Sequence, residues 1–461
     1  MPKPIHSPKI KKSRWFRVRV GVTAQLGVLL AVLWTGATRA DLIGHGGMVR
    51  AIDVAPDGRT VLTGSFDFTV RLWDFGTQTE KAVLDGHEGP VTSASFFPDG
   101  KHAVTTSDDR RAIIWNVQTG KSERRLEGHR HKVMAAAVSS DGALVATGSW
   151  DMTVHIWDAA TGKSIRVIDL RTPVNDVAFV AGGAGGKEKW LAAGGHDGKI
   201  TLWRVADGKF EGVLEGHVRG ISKMSASSDG RRLVSASIDR TIRLWDVPGM
   251  KELKVLQHSD DRAGQVYSTD ISPDGRRALS AGKDGRIMVW NLDTGQVLQT
   301  IPAHTKIIWA VGFTPDGRFA LSGSSDEKAA VWHLETGDRI GLTGDEKDEP
   351  QPWLESAHPG AKLFTKCAPC HALNAAANRR SGPHFKGLWG RRVGSVSDYN
   401  YSGALKGKEF IWNEKTLFDL FHQGPDKYLP GTKMPVQLVP DDEQLAQLID
   451  YLRVLTGPKG N

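Results

Sequence analysis

The run Cys367-Ala368-Pro369-Cys370-His371 holds the only two cysteines among 461 residues, and it ends in a histidine. Two thiols at this spacing, followed at once by an imidazole, suit covalent attachment of haem. One turn of chain offers both sulfurs to neighbouring vinyl groups of a porphyrin and sets His371 under the iron. A bare C-x-x-C is also the mark of a redox dithiol or of half a zinc site. Zinc would require further Cys or His ligands at matching spacing, and no second Cys pair exists. A thioredoxin-like dithiol would require a βαβ context, which is absent from the flanking sequence. With both cysteines assigned to haem, no disulfide remains in this reading.

A chain of this length exceeds one ordinary core, so at least two domains are expected. The formal charge is +8, but residues 1–40 carry eight Lys or Arg and no acid, so the net charge from Asp41 onward is zero. The basicity is therefore no sign of a nucleic-acid partner. The first 40 residues have the layout of an export signal: charged to Arg19, apolar from Val20 to Trp34, then small residues to Thr38-Arg39-Ala40. The apolar stretch is 15 residues long, short of the roughly 20 that span a bilayer. A retained anchor is the alternative, and membrane contact is expected only in that case. Covalent haem attachment in bacteria takes place outside the cytoplasmic membrane, so leader and motif together point to the periplasm.

From Asp41 to Gly344 the chain repeats. Trp73, Trp115, Trp157, Trp203, Trp245, Trp290 and Trp332 follow one another at intervals of 42, 42, 46, 42, 45 and 42 residues. The longer intervals contain Gly182–Gly186 and Ser259–Arg262, which read as surface insertions. An Asp stands six residues before each Trp (Asp67, Asp109, Asp151, Asp197, Asp239, Asp284, Asp326), with a Ser or Gly two residues before each Asp. Gly-His pairs occur at Gly44-His45, Gly86-His87, Gly128-His129 and Gly216-His217; His258 and His304 lack the glycine, and Arg171 falls where the fourth histidine would be. Short alternating segments bounded by Pro-Asp-Gly turns read as strands. The pattern resembles the WD-repeat family, which implies a propeller of seven four-stranded blades over residues 41–344. The same resemblance implies an Asp, His, Ser/Thr and Trp network inside each blade, incomplete in the fourth. The last blade could be completed by Arg339–Leu342 or by Leu42-Ile43.

A charged, proline-bearing linker over 345–358 ends the repeat, and helical spacing follows over 359–461. Leu445, Leu448, Ile449, Leu452 and Leu455 form one apolar stripe, with Asp441 and Asp442 near its start. The fold class is thus multidomain, all-β then all-α. The order Gly360 and Phe364, the haem motif, Gly382-Pro383, Gly387–Arg391, Tyr399-Asn400-Tyr401, Ile411-Trp412, Pro430–Met434 and Tyr451 resembles the class I c-type cytochromes, closest to the mitochondrial type. The resemblance implies a small helical domain with one covalent haem c, ligated by His371 and Met434. It places the Pro383 carbonyl on the His371 ring N–H, Arg391, Tyr399, Tyr401 and Trp412 on the propionate side, and Thr432 on the methionine side. Two family residues are missing: a tyrosine before the methionine loop falls on Leu420 or Phe421, and an asparagine is replaced by Leu405. His384 and His422, the other candidate ligands, are expected at the surface.

His/Met ligation fills the iron, which favours electron transfer over catalysis. The expected function is a periplasmic electron carrier, not an enzyme, whose propeller docks a protein. Residues 359–461 hold fourteen Lys and Arg against nine Asp and Glu, a net of +5. Lys366, Lys386, Lys406, Lys408, Lys427 and Lys433 flank the haem motifs and suit an acidic redox partner. Two alternatives stay open: an oxidoreductase site in the propeller that feeds the haem, and a peroxidase or sensor with a labile Met434 bond.

Overall fold

The computed structural model describes residues 41–259, 261, 264–340, 356–365, 367–368, 371, 373, 383–396, 401, 405, 407–432, 434, 438–439 and 441–457. The leader over 1–40 and the linker up to residue 355 lie outside the described residues.

Seven antiparallel sheets succeed one another along the chain, each led by an inner strand: Val49–Val54, Val91–Phe96, Val133–Val138, Val174–Gly182, Ile221–Ala226, Val266–Ile271 and Ile308–Phe313. They are blades 1 to 7 of a propeller. The second strand of each blade is buried almost throughout, and the third carries the repeating tryptophan. Both faces of these strands are covered by neighbouring blades, so they read as continuous runs of Val, Leu, Ala and Ser rather than as alternating patterns.

Closure uses both ends of the repeat region. On the open edge of Lys328–His333, Leu42 pairs with Ala329 and Ile43 with Lys328, while Ile340 pairs with Val331 and Arg339 with Trp332. The outer strand of blade 7 is therefore split, and both expected segments supply half of it. Arg339 also forms an ion pair with Asp41. The insertion at Gly182–Gly186 is a hairpin tip between Val174–Gly182 and Glu188–Gly195, in which Gly183, Gly185 and Gly186 all have φ near +70°, a conformation that a Cβ disfavours.

Inside blades 1, 2, 3, 5 and 7 a directed chain of hydrogen bonds joins four residues. The tryptophan Nε1–H donates to a Thr or Ser hydroxyl at 2.7–2.8 Å. That hydroxyl lies 2.7–2.8 Å from histidine Nε2, and histidine Nδ1 lies 2.7–3.0 Å from the aspartate. A neutral imidazole satisfies every link in such a chain, with the hydroxyl donating to Nε2 and Nδ1–H donating to the carboxylate. Burial, which lowers the pKa of His45 and His129, favours that state. Burial also works against the charge of Asp67, but His45, Arg71 and the Thr69 hydroxyl outweigh it and hold the carboxyl well below its ordinary range.

The hydroxyls are Thr63, Thr105, Thr147, Ser235 and Ser322, four residues before the Asp. The serines two residues before it serve the turn instead, where Ser65 Oγ donates to the Gly47 carbonyl and accepts from the Asp67 N–H. In blade 6 the His258 ring is turned over, with Nδ1 on Ser280 at 2.7 Å and Nε2 on Asp284 at 3.4 Å. Blade 4 has Arg171 in place of the network histidine, Ala193 replaces the hydroxyl residue, and Trp203 donates instead to Thr201 at 2.9 Å.

Blade-to-blade staples come from the inner strands. The Asp53 carboxylate accepts from the Phe96 N–H at 2.6 Å, Asp176 from Met224 at 2.6 Å, and Asp270 from Phe313 at 2.8 Å, each in the next blade. Burial raises all three pKa values, that of Asp53 to about 6.

Thr147→Val keeps the side-chain shape but strands both the Trp157 donor and the His129 acceptor. It should cost about 2 kcal/mol, read as a lowered urea midpoint. Thr201→Val in blade 4, where no histidine depends on the hydroxyl, should shift that midpoint by less than half as much.

Candidate haem site

The helical region is built from α1 (Pro359–Phe364), α2 (Glu414–Gln423), α3 (Pro425–Tyr428) and α4 (Asp442–Thr456). Each long helix starts on a side-chain cap. Asn413 and Thr416 form a reciprocal capping box on α2, and the Asp441 carboxylate accepts from the Gln444 N–H on α4. On α1, His358 Nδ1 accepts from the Gly360 N–H at 3.1 Å. The stripe read from the sequence faces inward: Leu445, Leu448, Ile449 and Leu452 are buried in one core with Leu417, Leu420 and Phe421 of α2.

α1 lies against α4 at Gly360, where a Cβ would meet the Gln447 carbonyl oxygen at 2.1 Å and Tyr451 Cβ at 2.8 Å. Only glycine allows this approach. Tyr451 is enclosed by the His358 ring at 5.0 Å and the edge of Phe364 at 5.9 Å. Phe364 in turn reaches Phe385 at 6.1 Å, and Phe385 stacks on the His371 ring at 4.6 Å with an interplanar angle of 14°. A continuous aromatic path thus runs from the helix crossing to the imidazole.

His371 Nδ1 lies 2.8 Å from the Pro383 carbonyl oxygen. A carbonyl only accepts, so Nδ1 carries the proton and the lone pair lies on Nε2, as a metal ligand requires. A backbone acceptor of this kind orients the ring and raises its basicity. The turn leading to His371 is fixed from α1: the Cys367 N–H donates to the Phe364 carbonyl at 2.8 Å, and the His371 N–H to the Cys367 carbonyl at 3.0 Å. Cys367 is buried in the same core. Cys370 and Tyr399 lie outside the described residues.

Arg391 and Trp412 are brought together by backbone pairing, with Trp412 N–H on the Arg391 carbonyl and Gly390 N–H on the Trp412 carbonyl, both at 2.8 Å. Arg391 donates through Nη1 to the Lys386 carbonyl at 2.8 Å, while its buried Nε has no partner among the described residues. Burial lowers its pKa and Tyr401 opposes the shift. Tyr401 is buried and its hydroxyl accepts from the Val396 N–H at 3.4 Å. Met434 packs half-buried against the helical core, and its N–H donates to the Thr432 hydroxyl at 3.2 Å.

Leu420 and Phe421 are buried in the core, so the positions that match the family tyrosine carry only apolar groups. His422 is exposed, 3.1 Å from Asp442 and stacked on Phe418 at 5.4 Å. His384 is half-buried, short of the surface position expected. Phe385, two residues beyond Pro383, has no periodic or motif signal that sequence reasoning could have used. Lys386, Lys408 and Lys427 are exposed, while Lys366, Lys406 and Lys433 lie outside the described residues.

The WD domain, G-beta repeat model matches residues 36–74, 78–116, 120–158, 208–246, 250–291 and 295–333, and the Cytochrome c model matches 357–456. The chain belongs to the WD40-repeat family and carries a C-terminal cytochrome c domain. The repeats skip 159–207, the stretch with Arg171 and Ala193, although those residues still build blade 4. Each match starts before the inner strand of a blade and ends just after its tryptophan, so a repeat in sequence takes its outer strand from the previous blade. The cytochrome c domain is 44% identical over 98 residues to cytochrome c of Nigella damascena, covering 21% of this chain and 87% of that protein. It is 41% identical over 101 residues to that of Guizotia abyssinica (22% and 90%) and 43% over 95 residues to that of Gibberella zeae (20% and 89%).

A cytochrome c domain implies haem c, and the residues fit it. His371 is in the tautomer that puts the lone pair on Nε2, as an iron ligand would need, Cys367 sits one turn away, and the buried Nε of Arg391 calls for an anion such as a propionate. Gly360→Ala should lower the stability of the cytochrome c domain by about 2 kcal/mol or more, because the backbone of α4 must move to admit the methyl. Calorimetry should show the helical transition at lower temperature and the propeller transition unmoved.

Proposed function

We propose that the protein is an exported, periplasmic electron carrier with one covalent haem c. Cys367 and Cys370 hold the group by thioethers, and His371 and Met434 ligate the iron. The propeller is a docking scaffold for a protein redox partner. The observation that carries the reading is the His371–Pro383 bond at 2.8 Å directly after the C-x-x-C-H motif. It supports reading the imidazole as a ligand, because the proton sits on Nδ1 and the lone pair on Nε2.

Haem c, when bound, supplies reversible one-electron chemistry at iron. The chain's own residues supply the rest. The Pro383 carbonyl keeps the proton on Nδ1, and the stacked Phe385 restrains the ring and excludes water from one face. Arg391 offers its Nε–H to a negative group. No polar side chain at Leu420 or Phe421 can bond a methionine sulfur, so the hold on Met434 falls to its own loop through Thr432. Exposed Lys386, Lys408 and Lys427 suit an acidic partner surface.

The oxidised protein should show the sulfur-to-iron charge-transfer band. Met434→Ala should abolish it, and His422→Ala should leave it intact. Retention of the band in Met434→Ala would overturn the ligand assignment. N-terminal sequencing of the protein recovered from periplasm should begin after Ala40; a chain that keeps its leader in the membrane fraction would replace export with anchoring.

A further inference from the structure

In every blade the pairing of the first and second strands skips one residue, a bulge after Val49, Val91, Val133, Val174, Ile221, Val266 and Ile308. A bulge re-aims the extra side chain. All seven displaced residues line one cavity of about 220 Å³ at the mouth of the central channel. Five of them bond the propeller itself. Thr92 donates to the Val133 carbonyl, Ser222 to the Val266 carbonyl at 2.7 Å, and Asn175 to the Ile221 carbonyl at 2.8 Å. Tyr267 donates to Gln265 at 3.2 Å and Trp309 to Ser325 at 2.7 Å. Met134 is apolar.

Arg50 is different. Its guanidinium has no hydrogen-bond acceptor among the described residues; it lies over the Trp309 ring at 5.2 Å and the Phe66 ring at 5.8 Å. Asp108, whose charge acts on it, is already paired with Lys132. Trp309 also packs on Tyr267, ring to ring at 4.6 Å. Aromatic faces hold a guanidinium in place without using its five in-plane N–H donors. Such a fork, half-buried and preorganised, matches the two oxygens of a carboxylate.

We propose that the channel mouth is a carboxylate-binding site, with Arg50 as the bidentate donor and the Trp309–Tyr267 pair as the apolar wall beside it. An amine would be repelled by Arg50. The cavity has room for about seven waters at roughly 30 Å³ each, enough for one acidic side chain or a small organic acid. The inference stands on the propeller alone and does not depend on the haem reading.

Calorimetry on the full chain can compare glutarate with glutaramide, and the blocked tripeptide acetyl-Ala-Glu-Ala-amide with its Gln counterpart. Each acid that binds should do so about tenfold or more tightly than its amide. Arg50→Gln should erase the difference, and Arg50→Lys should keep part of it. Binding of the peptide alone assigns the carboxylate to a partner's acidic side chain; binding of glutarate alone assigns it to a free organic acid. Equal affinity for acid and amide, no saturable binding of either acid, or an unchanged preference in a folded Arg50→Gln chain would each overturn the site. The wild-type acid–amide comparison decides the matter even if the variant does not fold.

Discussion

An imidazole braced inside a fold must place one ring nitrogen as donor and one as acceptor, and the network histidines and His371 use the same proton position for different ends. In blades 1, 2, 3, 5 and 7, Nδ1–H faces an aspartate and Nε2 takes the proton of a hydroxyl, which is itself held by a tryptophan. Every position is filled from within the chain, so the histidine is a brace. In the cytochrome c domain, Nδ1–H faces the Pro383 carbonyl, which places the lone pair on Nε2, the nitrogen that the proposed haem iron would use. The same tautomer serves both. What differs is the partner on Nε2, a Thr or Ser in one case and, in the function proposed above, an iron in the other.

The brace matters because a propeller has no covalent closure. Its blades are held by packing, by the aspartate staples from one inner strand to the next, and by an outer strand shared between the two ends of the repeat region. Blade 4 shows how far the brace can be relaxed. It has lost the histidine and the hydroxyl, yet keeps four strands, and Asp176 of its inner strand is stapled to Met224 and paired with Lys223 at 3.1 Å.

Seven regular tryptophans made the propeller legible in the sequence, because a buried indole with a hydrogen-bonded N–H cannot drift in register. The Asp and His of the network were legible for the same reason. The hydroxyl was not: a Ser two residues before the Asp and a Thr or Ser four before it are both small and polar, and only the strand pairing shows which of them faces the ring. The split outer strand was undecidable, since two residues carry no periodicity. The bulges had no signal at all, because they concern hydrogen-bond register rather than residue type, and with them Arg50 went unread. In the cytochrome c domain the ligand motif and Pro383 were legible, whereas Phe385 became visible only through its stacking on His371. His384 is less exposed than its polarity suggested.

If His371 and Met434 make a single, six-coordinate electron-carrying centre, a spectroelectrochemical titration of the intact chain will show it. One reversible wave is expected, with a slope of about 59 mV per decade, the value for one electron, and low-spin spectra at both ends of the titration. Two waves, or a high-spin oxidised form that takes up an added ligand at once, would contradict that centre.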